Sequence, residues 1–281
     1  MQKSERKKKF SRVYVEITNV CNKDCSFCPG TKRPSRFMSR AEFECVLKKL
    51  SPFTDYLYFH LMGEPTLHPD LIEFISIARA MGYRPMITTN GTLLYELSDE
   101  IITSGVHKVN ISLHSFEKDD KIGHIEYLKS CVDFAKRAAK CGIIVTLRLW
   151  NGGTGEDNSS VIEFLHKSFG SSCEAYRGGE RLSEKIFLEY ADRFAWPDIE
   201  NEELGADVYC HGLLDHFGIL SDGSVVPCCL DRDGVMTLGN AFSDELSDIL
   251  FGERCESIKE GFKRRNISEP LCKRCSYARR F

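Results

Sequence analysis

Six short apolar or alternating runs punctuate the first two thirds of the chain: VYVEI (13–17), YLYFHL (56–61), PMITT (85–89), KVNISL (108–113), IIVTLRL (143–149) and KIFLEY (185–190). Each has the length and β-branched or aromatic content of a strand. Between them, apolar residues recur at helical spacing. Ser39 and Glu42 are spaced as a capping box that opens a helix over 43–50. Leu71, Phe74, Ile75 and Ala78 line one face of a helix over 70–81, with Gly82 as its stop. Similar patterns over 125–141 and 160–169 end at Gly142 and Gly170. Parallel neighbours require crossovers, so this alternation predicts an α/β fold, a partial (β/α)6 barrel.

The pattern breaks after Tyr190. Trp196-Pro197 and the acidic stretch to Glu203 read as a linker. A hairpin is expected around Asp222-Gly223, which supplies the turn, followed by helices over 244–251 and 255–264. The expected organisation is a charged arm (1–11), the barrel (12–192), a linker (193–209) and a small hairpin-plus-helix domain (210–281).

Composition narrows the class. Of 281 residues, 42% are hydrophobic and 28% charged, which excludes a disordered chain or a coiled coil as the whole. Lys plus Arg is 38 against 41 for Asp plus Glu, so no strongly basic nucleic-acid surface is implied. No apolar run spans a bilayer and no signal-peptide core follows Met1–Lys9, so a cytoplasmic protein without membrane partners is expected. The 13 cysteines, an odd number, then point to metal or redox chemistry rather than disulfides.

Cys21, Cys25 and Cys28 immediately follow the first strand. Three thiolates this close can hold three irons of a cubane and leave the fourth open. A zinc knuckle would want a nearby fourth Cys or His, and none follows at that spacing. Here the sequence resembles the radical S-adenosylmethionine (SAM) enzymes, whose signature CxxxCx(aromatic)C is matched by Cys21, Cys25, Phe27 and Cys28. Met62-Gly63-Glu64-Pro65 is similar to the family's GGEP-type motif, with Met62 replacing the first glycine. Asn90 ends the third strand and Ser112 the fourth, as the family's SAM-contacting residues do. Arg148 is placed to pair with the SAM carboxylate. The resemblance implies that Phe27, Met62, Gly63, Glu64, Pro65, Asn90, Ser112 and Arg148 contact SAM. His60, His114 and Arg148 are the catalytic candidates. It also implies that a reduced [4Fe–4S] cluster splits SAM to a 5′-deoxyadenosyl radical that removes a hydrogen atom from substrate.

The tail offers Cys210, Cys228 in a GxxxxC motif, and Cys272 and Cys275 as a CxxC. Such a set suits zinc or iron–sulfur, and spacing alone does not separate them. The tail resembles the SPASM/twitch extension of radical SAM enzymes. That resemblance implies one auxiliary [4Fe–4S] cluster, since only six residues follow Cys275, with Cys210, Cys228, Cys272 and Cys275 as ligands and Cys229 the competitor for Cys228. Cys45, Cys131 and Cys141 lie in helical patterns and are expected as small core residues.

The expectation is therefore a radical SAM oxidoreductase, reduced by a flavodoxin or ferredoxin, that oxidises a polar small molecule by two electrons. A SPASM-type enzyme modifying a peptide substrate, an RNA-modifying radical SAM enzyme and a non-catalytic zinc module are the alternatives.

Overall fold

The computed structural model describes residues 9–116, 123–170 and 173–280, so the charged arm lies outside it up to residue 8. In chain order the elements are β1 (Arg12–Val15), α1 (Arg40–Leu50), β2 (Tyr56–Tyr58), α2 (Leu71–Ala80), β3 (Arg84–Thr89), α3 (Leu94–Thr103), β4 (Lys108–Ser112), α4 (His124–Lys140) and β5 (Ile144–Gly152). There follow α5 (Ser159–Phe169), β6 (Glu174–Tyr176), β7 (Gly179–Ser183), β8 (Ile186–Asp192), β9 (His216–Ile219), β10 (Ser224–Val226), β11 (Gly239–Asn240), α6 (Leu246–Leu250), α7 (Glu253–Lys263) and α8 (Pro270–Lys273).

The chain forms two compact units. One consists of the described residues of Met1–Gly63, Ala80–Arg84 and Phe194–Phe281; the other of Glu64–Arg79 and Pro85–Arg193. These limits do not follow the linear segments expected from sequence, because the tail strand β9 runs parallel to β1, Val13 opposite Phe217.

In the first unit the strand order is β11-β10-β9-β1-β2, with β9, β1 and β2 parallel and β10 and β11 folded back as antiparallel neighbours. Alternation sorts the two faces. Val13, Val15, Ile17, Leu57 and Phe59 are fully buried on one. Tyr14, Tyr58, His60 and His216 lie together on the other: the Tyr14 ring is 5.2 Å from Tyr58, 5.5 Å from His60 and 5.6 Å from His216. The Ser39–Glu42 capping box opens α1 as expected.

In the second unit β3, β4, β5 and β8 are parallel and in that order, and β7 and β6 extend the far edge antiparallel. Val109, Ile111, Val145, Leu147, Ile186 and Leu188 form a dry face of this sheet, and β5 and β8 pack against α4. The opposite face carries polar residues in register: Thr88 beside Asn110 beside Thr146, then Ser112 beside Arg148 beside Glu189. A parallel sheet apolar on one side and polar on the other presents that polar face to a ligand rather than to a core.

Cys131 is buried, Cys45 half-buried, and Cys141 exposed. The last departs from the expected core role because α4 stops at Lys140 and Cys141 is its C-cap.

Candidate active site

The loop after β1 is stapled at its base. Thr18 Oγ1 donates to Arg36 O at 2.9 Å, and Asn19 both donates to Pro34 O and accepts from Arg36 N–H. Cys21, Cys25, Phe27 and Cys28 ride on the loop, exposed or half-buried, with Cys28 N–H bonded to Cys25 O. Beneath it lies Glu16, fully buried. It accepts two hydrogen bonds from Arg33 Nη2 at 2.7 and 2.8 Å and one each from the amides of Met62 and Ser221 at 3.1 Å. One carboxylate thus ties together the exit of the cysteine loop, the Met62-Gly63 turn and the turn of the tail hairpin. Gly63 has φ +75°, and a Cβ there would fall 2.6 Å from Thr18 O and 2.8 Å from Asn19. The turn therefore approaches the loop's base more closely than any side chain permits.

In the second unit Glu64 is not exposed to a ligand. Its carboxylate accepts from Asn90 N–H at 2.6 Å and from the Thr66 amide and hydroxyl, capping the 3₁₀ turn Pro65–Leu67. Glu64 thereby fixes the end of β3, where Tyr127 OH also donates to Asn90 O. Ser112 closes β4, and the turn after it carries His114, whose Nδ1 lies 3.1 Å from Arg148 O. Burial, above all, lowers the His114 pKa, which favours a neutral imidazole. Arg148 donates to Glu189 at 3.2 Å and lies over the Trp150 ring. Asn110 Oδ1 and Thr146 Oγ1 are buried without a hydrogen-bond partner, although Asn110 Nδ2 reaches Thr88 Oγ1 at 3.1 Å. Orphaned polar atoms on a polar face fit a hydrogen-bonding ligand such as a nucleoside. Sequence reading passed over Thr88, Asn110 and Thr146, although the Asn110/Ser112 alternation on β4 marks the same face.

The tail cysteines form a second donor set in the first unit. Cys210 precedes β9, Cys228 follows β10, and Cys272 and Cys275 flank the end of α8. Gly212 brings the first segment against the second, its would-be Cβ 3.5 Å from Cys228 Cβ. Burial pushes the Cys210 thiol up to about 11, helped by Cys275, and raises Cys228, Cys272 and Cys275 as well. Cys228 feels Cys229, Cys210 and Cys272, and Cys272 feels Cys210 and Cys275. Half-buried cysteines whose thiolates would repel one another suit a metal: a cation reverses the penalty. A single zinc would draw its sulfurs to about 3.8 Å apart, given Zn–S of about 2.3 Å. Among the described residues no three of these sulfurs lie within 4.8 Å of one another. Cys229, also half-buried, is hydrogen-bonded to Tyr14. The donor sets thus fit iron–sulfur clusters.

No helix among the described residues is long and apolar enough to cross a membrane.

Comparison with known proteins places the chain in a family. The family model of the radical SAM superfamily matches residues 15–167, and that of the SPASM iron–sulfur cluster-binding domain matches residues 210–276. A probable GTP 3′,8-cyclase of Saccharolobus islandicus (strain Y.N.15.51 / Yellowstone #2) is 25% identical, over 88% of this chain and 89% of its own. One from Sulfurisphaera tokodaii is also 25% identical, over 89% and 90%. Among solved structures, BtrN in complex with AdoMet and 2-DOIA superposes with a TM-score of 0.64 at 20% identity, covering 96% of this chain and 94% of that one. Streptococcus suis SuiB bound to S-adenosylmethionine gives 0.63 at 18% identity, over 89% and 68%. With the superfamily model spanning more than half of the sequence and the cysteine loop, the polar strand face and the tail thiols all in place, the chain belongs to the radical SAM superfamily, works with S-adenosylmethionine and a [4Fe–4S] cluster, and binds further iron–sulfur in its SPASM tail.

Proposed function

We propose that this radical SAM enzyme is an oxidoreductase that removes two electrons from a polar small molecule. Cys21, Cys25 and Cys28 hold the SAM-binding cluster, and Cys210, Cys228, Cys272 and Cys275 hold one auxiliary [4Fe–4S] cluster of the twitch type. When bound, these groups supply a 5′-deoxyadenosyl radical for hydrogen abstraction and an acceptor for the second electron. The chain's own residues position and select. Phe27 lies on the cysteine loop to meet the adenine. Met62 and Gly63 offer backbone to the SAM amino group. Glu64, with Pro65 starting the turn it caps, holds Asn90 in place. Ser112, Asn110 and Thr146 offer hydrogen bonds. Arg148 pairs with a carboxylate at the cost of its bond to Glu189. His60 and His114 are the candidates for substrate contact. In this reading residues 12–192 form the radical domain, 193–209 a linker and 210–281 the auxiliary domain, in a cytoplasmic protein reduced by a flavodoxin or ferredoxin.

The observation that carries the proposal is the tail's set of four half-buried cysteines whose thiols are desolvated and electrostatically coupled. Four protein ligands leave no open iron for substrate, which suits electron transfer. A second reading, a nucleotide cyclase, is favoured by the likeness to the probable GTP 3′,8-cyclases. The test is anaerobic iron and sulfide content with product analysis under dithionite and SAM. About eight irons per chain, 5′-deoxyadenosine, and a carbonyl product from an aminocyclitol or sugar support the oxidoreductase. Turnover of GTP to a cyclised isomer supports the second reading. About four irons with stoichiometric zinc removes the electron acceptor and sinks the first.

A further inference from the structure

Outside the cysteine sets just described, the far edge of the second unit gathers three dissimilar metal-ligating side chains. His166 lies in the last turn of α5, Cys173 immediately precedes β6, and Glu180 is on β7. One ligand atom from each lies within 4.8 Å of the other two, the one such trio among the described residues. His166 Nε2 is 2.5 Å from Glu180 Oε2. The other carboxylate oxygen, Oε1, accepts from Tyr190 OH at 2.5 Å. Cys173 Sγ contacts Gly170 O at 3.4 Å. The spacing is even, H-x6-C-x6-E, and the three residues come from three successive elements.

We infer that His166, Cys173 and Glu180 bind a divalent zinc-like cation that clips the β6–β7 hairpin to α5. Imidazole nitrogen, thiolate sulfur and carboxylate oxygen are the three donor types zinc takes, and three protein ligands leave its fourth position to water. Tyr190 supplies the outer hydrogen bond that orients a ligating carboxylate. β7 is held by its antiparallel pairing with β8, and Tyr176 of β6 meets Phe187 of β8 at 5.1 Å, but β6 is the edge strand. No residue of β6 is buried, and Leu182 is the one buried residue of β7. A metal clip adds anchorage where so little core is available.

The test uses the anaerobically purified enzyme with its iron–sulfur clusters in place. Zinc is added, weakly held metal is removed with a chelator, and zinc and iron are counted together. Expected is one retained zinc per chain, whose X-ray absorption fine structure shows one sulfur at about 2.3 Å and nitrogen or oxygen at about 2.0–2.1 Å. In Cys173→Ser and His166→Ala, zinc affinity should fall at least tenfold at unchanged iron content. Zinc should also raise the melting temperature in wild type and not in either variant. Should a variant not fold, the absorption spectrum of the wild type decides alone. Zinc in a four-sulfur shell, no retained zinc, or equal retention in wild type and both variants would overturn the inference and leave an ion pair between His166 and Glu180.

Discussion

Arg33 grips both oxygens of Glu16 with a single nitrogen, at 2.7 and 2.8 Å, in a pair whose side chains are 9% and 0% exposed. The same carboxylate accepts the amides of Met62 and Ser221. Removing its charge strands a buried guanidinium and weakens two backbone anchors at once. Glu16→Gln should cost about 3–5 kcal/mol, the toll of breaking a buried pair from one side. Anaerobic urea unfolding of the cluster-loaded protein measures it. A loss under about 1 kcal/mol, the usual worth of an exposed pair, would show that the hub is not structural.

Gly63→Ala tests the close approach of the Met62-Gly63 turn to the cysteine loop. The added methyl meets backbone, Thr18 O and Asn19, not a side chain that can swing away. Overpacking of about 1–3 kcal/mol adds to about 1–2 kcal/mol for the left-handed backbone of a non-glycine residue. SAM affinity, by equilibrium dialysis, should fall more than tenfold. Unchanged affinity and melting temperature would mean the loop yields freely.

Cys228 and Cys229 are adjacent and both couple to the tail thiols, Cys228 to Cys229, Cys210 and Cys272, and Cys229 to Cys275, but Cys229 is in addition hydrogen-bonded to Tyr14. Cys228→Ala should lose about four irons per chain, one cubane's worth, with SAM cleavage retained. Cys229→Ala should keep them. The reverse pattern would exchange the ligand assignment.

His216 titrates low, at about 4, because it is buried and then because Arg12 is near. Its unfolded value is about 6.5. The unfolded chain therefore binds a proton that the folded one refuses between these values. Stability is complete above about pH 6.5 and declines as pH falls toward 4, by about 3 kcal/mol in all at ~1.4 kcal/mol per unit. His216→Gln should flatten that slope between pH 5 and 6.5. An identical slope in both proteins would assign it to other groups.

How much of this was legible from sequence depends on what each element buries. The parallel strands other than β9 are read directly from their six apolar runs, and the tail turn from Asp222-Gly223, because each obeys a local rule. The helix α3 lacks a side-chain N-cap, so its start carries no signal. The β6–β7 hairpin buries so little that no alternation marks it. The motif at Glu64 suggests contact with a cofactor, whereas its oxygens accept hydrogen bonds from Thr66 and Asn90, partners no local pattern announces. Glu16 was visible as a lone charge inside VYVEI, but its three partners are 17, 46 and 205 positions away, beyond any periodicity.

The pairing of β9 with β1 also bears on how the protein is made. Ser11 and Asp215, hydrogen-bonded at the base of that pair, are 204 positions apart. During synthesis β1 emerges early, with one of its edges bare until the ribosome has delivered most of the chain. The first cysteine loop hangs from that half-built strand, and Glu16 beneath it waits for Ser221. The loop therefore gains its full support only after most of the chain has been made. A nascent chain stalled before β9 should present an unguarded strand to chaperones and thiols to oxidants.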